Sequence, residues 1–185
     1  MSAATGQIMA DFGRIDVLVT AAAVLSTSPI HEMKEDMWDE VVDVNLKGVF
    51  TSCRTVLPFM IAAGRGSIVN LSSVHAYASV PGTGAYAATK GAIISLSRQM
   101  AVEYADAGIR VNSVVIGSVD TAMTERHKDL VDKAGITLSP PAGRLGRMAH
   151  PREIAKAVGF LAGDASSFVT GSAVTVDGGL LSSLM

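Results

Sequence analysis

The sequence predicts an α/β fold, a parallel β-sheet with helices on both faces. Three observations lead there. Four short runs are apolar and rich in β-branched residues, as strands buried on both sides are. Segments with apolar positions at helical spacing lie between them. Strands alternating with helices are joined by right-handed crossovers, which makes the sheet parallel.

Along the chain, Ser2–Phe12 reads as the end of a helix closed by Gly13, and Ile15–Val24 (IDVLVTAAAV) as the first strand. Lys34–Ala63 carries Val41, Val44, Gly48, Phe50, Val56, Phe59 and Met60 at helical spacing. That is a long helix or two, stopping at the Gly64–Gly66 turn. Ser67–Ser73 (SIVNLSS) is the second strand, and a loop with Pro81, Gly82 and Gly84 leads to a helix from Tyr86 to Ala107. Ile109–Gly117 is the third strand and Ser172–Gly179 holds the fourth. Between them lie an irregular stretch, Thr121–Met148, and a helix beginning near Pro151, a residue suited to a first turn. No repeat, low-complexity segment or linker divides the chain, so residues 1–185 read as one domain.

Composition narrows the partners. Hydrophobic residues make up 49% and charged residues 17%, with a mean hydropathy of +0.38. Such a chain hides much of its surface in a sheet or between subunits. Fifteen basic and 17 acidic residues give a formal charge of −2 without a cluster of either sign, which argues against nucleic acid or an anionic membrane. Cys53 stands alone among apolar residues, so it forms no internal disulfide and reads as core. The first residues lack a signal-peptide pattern, and no apolar run is long enough to span a bilayer. The expectation is a cytoplasmic, oligomeric protein.

GTGAYAATKGA (Gly82–Ala92) admits two readings: G-x-G-x-x-A, a spacing that wraps a pyrophosphate, and Y-x-x-x-K. The first fails on context, because Gly82 and Gly84 follow a loop with Pro81 rather than a buried strand. The second places Tyr86 and Lys90 on one helical face. An ammonium beside a phenol favours the phenolate. Bringing a tyrosine from its usual ~10 to ~7–8 takes roughly 3–4 kcal/mol, which a dry pocket and a second positive charge such as an oxidised nicotinamide could supply. Such a tyrosine is an acid for ketone reduction and a base for alcohol oxidation. Ser72 and Ser73 end a strand at the sheet edge where α/β folds bind ligands, and Asn45 is a polar residue within a helical segment.

VNLKG, NLSS, YAATK and a terminal VDGG follow one another in this order. On these motifs the chain resembles the short-chain dehydrogenase/reductase family over nearly its whole length, which implies a Rossmann-like fold. The resemblance carries the family's tetrad onto Asn45, Ser73, Tyr86 and Lys90. It implies that Ser73 binds the substrate oxygen, Tyr86 passes the proton, Lys90 holds the nicotinamide ribose and Asn45 positions a water. It further implies NAD or NADP as cofactor, with Ala22, Tyr86, Lys90, Gly117, Val119 and Thr121 around it. A small alcohol or ketone would be the substrate and a homotetramer or homodimer the assembly.

The chain also departs from the family pattern. It carries no T-G-x-x-x-G-x-G loop before Gly13. On the resemblance, three strands and that loop are missing, on the order of 75–80 residues, within the usual size of a βαβαβ half. A fragment of a longer enzyme is the expectation, with Met1 as an internal start and the strand at Ile15–Ala21 left as a bare edge. The family's N-N-A-G is TAAA here (Thr20–Ala23), matching only at Ala22, and Ile116 replaces a proline, loosening the turn before Gly117. These departures favour a rival reading, a non-catalytic or cofactor-free protein of this fold acting as a binding or assembly partner. The intact tetrad favours the enzyme.

Other residues carry less. His75 and Tyr77 could line a substrate pocket, and Thr121–Met148, with Met123, Leu130, Leu138 and two prolines, takes the place of a substrate lid. His31, His127 and His150 lack metal-ligand spacing, so no metal site is expected.

Overall fold

The structure is a computed structural model that describes residues 2–133 and 143–182. Among these residues four strands, β1 (Val17–Thr20), β2 (Gly66–Ser73), β3 (Ile109–Ile116) and β4 (Ala173–Val176), form one parallel sheet in chain order. Among the described residues six α-helices accompany them: α1 (Ser2–Phe12), α2 (Glu35–Val42), α3 (Gly48–Ala63), α4 (Gly84–Glu103), α5 (Ala122–Lys133) and α6 (Pro151–Ala162). The expected parallel sheet with helices on both faces is present.

Alternation along the strands divides the core between those faces. Ile68 of β2 and Val111 of β3 pack with Val56 and Met60 of α3 and Ile93 and Met100 of α4. Their neighbours Val69 and Val114 turn the other way, onto Leu161 of α6. All of these side chains are buried, which is why the strands read as continuous apolar runs.

Several boundaries differ from the sequence expectation, each for a local reason. β1 is shorter than Ile15–Val24, because only Val17–Thr20 pairs with β2 and Val24 is bound elsewhere. The helical stretch from Lys34 is two helices joined by a π-helical turn at Asp43–Lys47. Helix α4 starts at Gly84, two residues earlier than expected, and ends at Glu103 before a short 3₁₀ turn. β4 stops at Val176, where the Asp177 carboxylate accepts from the N–H groups of Gly179 and Leu181 and turns the chain. Helix α6 begins at Pro151 as expected.

The stretch expected to be irregular opens with α5, whose residues are mostly polar, so that little apolar signal marks it as a helix. Leu138 and the two prolines of the expected lid lie outside the described residues, as does Met1. Ile116 does not loosen the turn it precedes: it stays in register with Ser73 and Val176, and the Gly117 N–H donates to the Val176 carbonyl at 3.1 Å. Among the described residues β1 pairs only with β2, and Val17 and Val19 are half-exposed. Among the described residues no helix is long and apolar enough to cross a membrane.

Candidate active site

The carboxyl end of β2 and the first turns of α4 build the site. Ser72 ties them together, its hydroxyl donating to the Lys90 carbonyl at 2.8 Å. That bond commits Ser72 to structure and leaves Ser73 as the serine whose hydroxyl acts on the Tyr86 phenol, lowering its pKa. Ser73 Oγ also accepts from the backbone N–H of His75 at 3.3 Å. Tyr86 is only 8% exposed, and Lys90, one helical turn later, 4%.

Lys90 Nζ donates to the Leu71 carbonyl at 2.9 Å and lies 5.4 Å from the centre of the Tyr86 ring. An ammonium has three N–H donors, so two remain for a ligand among the described residues. Burial lowers the Lys90 pKa from 10.5 to about 8. The Tyr86 phenol is pushed up from its ordinary value by burial, while the hydrogen bond from Ser73 pulls the other way. The expectation of a phenol brought down toward neutrality therefore does not describe the chain by itself. Near neutral pH Tyr86 holds its proton and Lys90 is mostly charged.

Asn45 sits in the π-helical turn, fully buried. Its side chain accepts from the Val24 N–H at 2.8 Å and donates to the Val24 carbonyl at 2.9 Å. It also donates to Thr89 Oγ1 at 3.3 Å, and the Thr89 hydroxyl donates to the Tyr86 carbonyl at 2.8 Å. The asparagine thus fixes the loop after β1 against the helix that carries Tyr86. Both of its amide N–H groups are committed to protein partners, and its oxygen keeps one lone pair.

The cofactor residues expected from the resemblance are less gathered. Ala22 is exposed, at the carboxyl end of β1, in a groove of about 670 Å³ shared with Asp43, Lys47 and Ser52. Gly117 packs on the backbone of Asp177, so closely that an added Cβ would come within 2.7 Å of the Asp177 Cα. Val119 pairs with Ala149, and its carbonyl accepts from Thr124, whose hydroxyl also contacts Thr121 at 3.2 Å. Among the described residues no hydrogen bond joins Ala22, Gly117, Val119 or Thr121 to Tyr86 or Lys90.

Sequence reasoning missed Thr89 and Thr83. Thr89 lies three residues after Tyr86, on the same helical face, and that spacing was the available signal. Thr83 contacts the ring of His75, which packs edge-on against Tyr86 with centroids 5.5 Å apart. The described residues contain no group of three or more His, Cys, Asp or Glu side chains that could hold a metal ion.

A nicotinamide nucleotide fits these donors at its ribose end. The two remaining Lys90 N–H groups and the Tyr86 hydroxyl match a vicinal diol and a carbonyl. Ser26 and Thr27, in the loop after β1, hold buried hydroxyls without a hydrogen-bond partner, which a polar ligand would satisfy.

Known proteins resemble the chain closely. A family model described as enoyl-(acyl carrier protein) reductase matches residues 1–181. The 3-oxoacyl-[acyl-carrier-protein] reductase FabG of Thermotoga maritima is 42% identical over 175 residues, 95% of this chain and 70% of its own. Cyclopentanol dehydrogenase of Comamonas testosteroni is 40% identical over 176 residues, with the same two shares, 95% and 70%. The crystal structure of a gluconate 5-dehydrogenase from Burkholderia cenocepacia in complex with NADP and tartrate superposes with a TM-score of 0.88 at 34% identity. The match covers 99% of this chain and 71% of that one. The NADP-bound structure of ElxO gives 0.86 at 29% identity, over 98% and 73%.

Proposed function

This chain belongs to the short-chain dehydrogenase/reductase family, and from that premise we propose that it interconverts a secondary alcohol and a ketone using NAD or NADP. The observation that carries the reading is the buried cluster of Ser73, Tyr86 and Lys90 at the carboxyl edge of the sheet. Relatives that reduce 3-oxoacyl carriers and oxidise cyclopentanol, by their names, support the reaction type and leave the substrate as a small alcohol or ketone.

The nicotinamide, when bound, supplies or accepts the hydride. The chain's own residues handle the proton. In reduction, Tyr86 donates its O–H proton to the carbonyl oxygen as that oxygen gains negative charge. Ser73 donates a hydrogen bond to the same oxygen and so stabilises the charge before the proton arrives. Lys90 binds the ribose hydroxyls through its two remaining N–H groups, and its charge steadies the phenolate left behind. Asn45 keeps the loop after β1 in place, and the second lone pair of its oxygen is left to hold a water of the proton relay. In oxidation Tyr86 must ionise first. Burial opposes that, while the Lys90 ammonium and the positive charge of an oxidised nicotinamide would favour it.

The same reading keeps the protein in the cytoplasm as a homodimer or homotetramer. The groove between α3 and α4 supports self-association: Phe50, Leu57, Ile61 and Leu96 line it, with Arg54 and Glu103 as opposite charges that a two-fold axis would pair. Sedimentation giving only a monomer would remove that part.

Titration with NADH and NADPH, followed by nucleotide fluorescence, tests the core of the proposal. Saturable binding is expected, and none up to millimolar nucleotide would sink it in favour of a non-catalytic binding protein. Tyr86→Phe is then expected to cut turnover by about 10²–10⁴-fold while leaving nucleotide affinity largely intact.

A further inference from the structure

We propose that His75 is a positioning residue of this site, orienting Tyr86 through a ring contact and Ser73 through its backbone N–H. The ring of His75 stands against that of Tyr86 at 86°, with centroids 5.5 Å apart, the edge-to-face arrangement aromatic rings prefer. Its backbone N–H occupies a lone pair of Ser73 Oγ, which leaves the serine proton to point at Tyr86 or at a substrate oxygen.

Thr83 fixes the imidazole itself. Its hydroxyl donates to the Val80 carbonyl at 2.9 Å, and a hydroxyl has a single proton. The 3.3 Å contact between Thr83 Oγ1 and His75 Nδ1 therefore requires Nδ1 to be the donor. In its neutral form His75 is held as the Nδ1–H tautomer.

Local helix chemistry points the same way. Thr83 is the N-cap of α4, and its carbonyl accepts from Ala87 at 2.9 Å as an N-cap should. Yet its side chain makes no capping bond, the ordinary use of threonine there. The fully buried hydroxyl serves Val80 and His75 instead. A local rule broken beside the ring that packs on Tyr86 marks a functional constraint.

The consequence for turnover rests on the hydride-transfer reading, but the geometry does not. Two measurements on the cofactor-free protein therefore test it. Heteronuclear NMR of the histidine ring nitrogens should find His75 protonated at Nδ1. The chain has three tyrosines, so Tyr77→Phe with Tyr104→Phe leaves Tyr86 alone for ultraviolet titration. In that background Thr83→Val should release the Nδ1 preference and free the imidazole to turn against Tyr86, moving the Tyr86 titration from its place in the unaltered protein. Thr83→Ser should restore both. With nucleotide and substrate, Thr83→Val and His75→Leu should each lower kcat by about 10–100-fold with KM for the nucleotide unchanged. The double variant should be no worse than either single one.

An Nε2-protonated His75 in the unaltered protein would overturn the proposal without any variant. So would a Tyr86 titration that Thr83→Val leaves in place. If the nucleotide never binds, the oxidoreductase reading fails, while the tautomer and the titration still decide the role of His75.

Discussion

The side-chain amide of Asn45 holds both backbone polar groups of Val24, accepting from its N–H at 2.8 Å and donating to its carbonyl at 2.9 Å. Val24 lies four residues beyond the end of β1, where the chain has left the sheet and has no ladder to satisfy it. Asparagine suits the position because it alone offers a donor and an acceptor in one short planar group. Asn45→Ala should leave both Val24 groups unpaired and destabilise the fold by about 3 kcal/mol. Urea unfolding measures this, and a loss under about 1 kcal/mol would show that water replaces the clamp.

Lys90 sets function against stability. Its pKa falls from 10.5 to about 8 on burial, so the folded chain resists a proton that the unfolded chain keeps. The penalty is full below about pH 8 and fades as the pH rises toward 10.5, a range worth about 3 kcal/mol at most. Lys90→Met should remove it at neutral pH, less about 1 kcal/mol for the lost bond to the Leu71 carbonyl. Unfolding should therefore find the variant about 2 kcal/mol more stable at pH 7, with the advantage gone by about pH 10. Turnover should be lost. A variant less stable at pH 7 would contradict the account.

Arg110 closes the far face of the sheet. One guanidinium nitrogen donates to the Leu161 carbonyl and Ser166 Oγ at 2.9 Å and to the Val169 carbonyl at 3.3 Å. The other donates to the Gly163 carbonyl at 3.0 Å. These carbonyls lie at and beyond the end of α6, where helical partners run out. A lysine brings charge without the fork, so Arg110→Lys should cost about 1–3 kcal/mol and lower Tm by roughly 3–10 °C. Calorimetry that leaves Tm unchanged would rule the fork out as a cap.

How far the sequence could be read depended on what decides each feature. The strands were legible because both faces of β2 and β3 are buried, so their composition alone marks them. Where β1 ends was not, since that depends on Asn45, about twenty residues later in the chain. Helix α5 escaped notice because its residues are mostly polar. Ser73, Tyr86 and Lys90 could be picked out from local spacing within a recognisable motif. The direction of the Tyr86 shift could not: it follows from how little water reaches the phenol, and neighbours from several segments determine that. Thr83 read as an ordinary helix-start residue, and only its actual partners reveal its other use.

The π-helical turn at Asp43–Lys47 makes the chain sensitive to length in an unusual way. There the Gly48 N–H reaches back five residues to the Asp43 carbonyl, one more than an α-helix spans. Deleting a single residue from the turn would let α2 and α3 run on as one regular helix, which by local propensity looks harmless. Yet each residue of an α-helix advances the side chains by about 100°. The shortened helix would swing Val49, Cys53, Val56 and Met60 away from the sheet if Val41 stayed buried, and take Asn45 off Val24. The extra residue works as a phase adjuster between two helices, so insertions and deletions should be rejected here even where substitutions are tolerated.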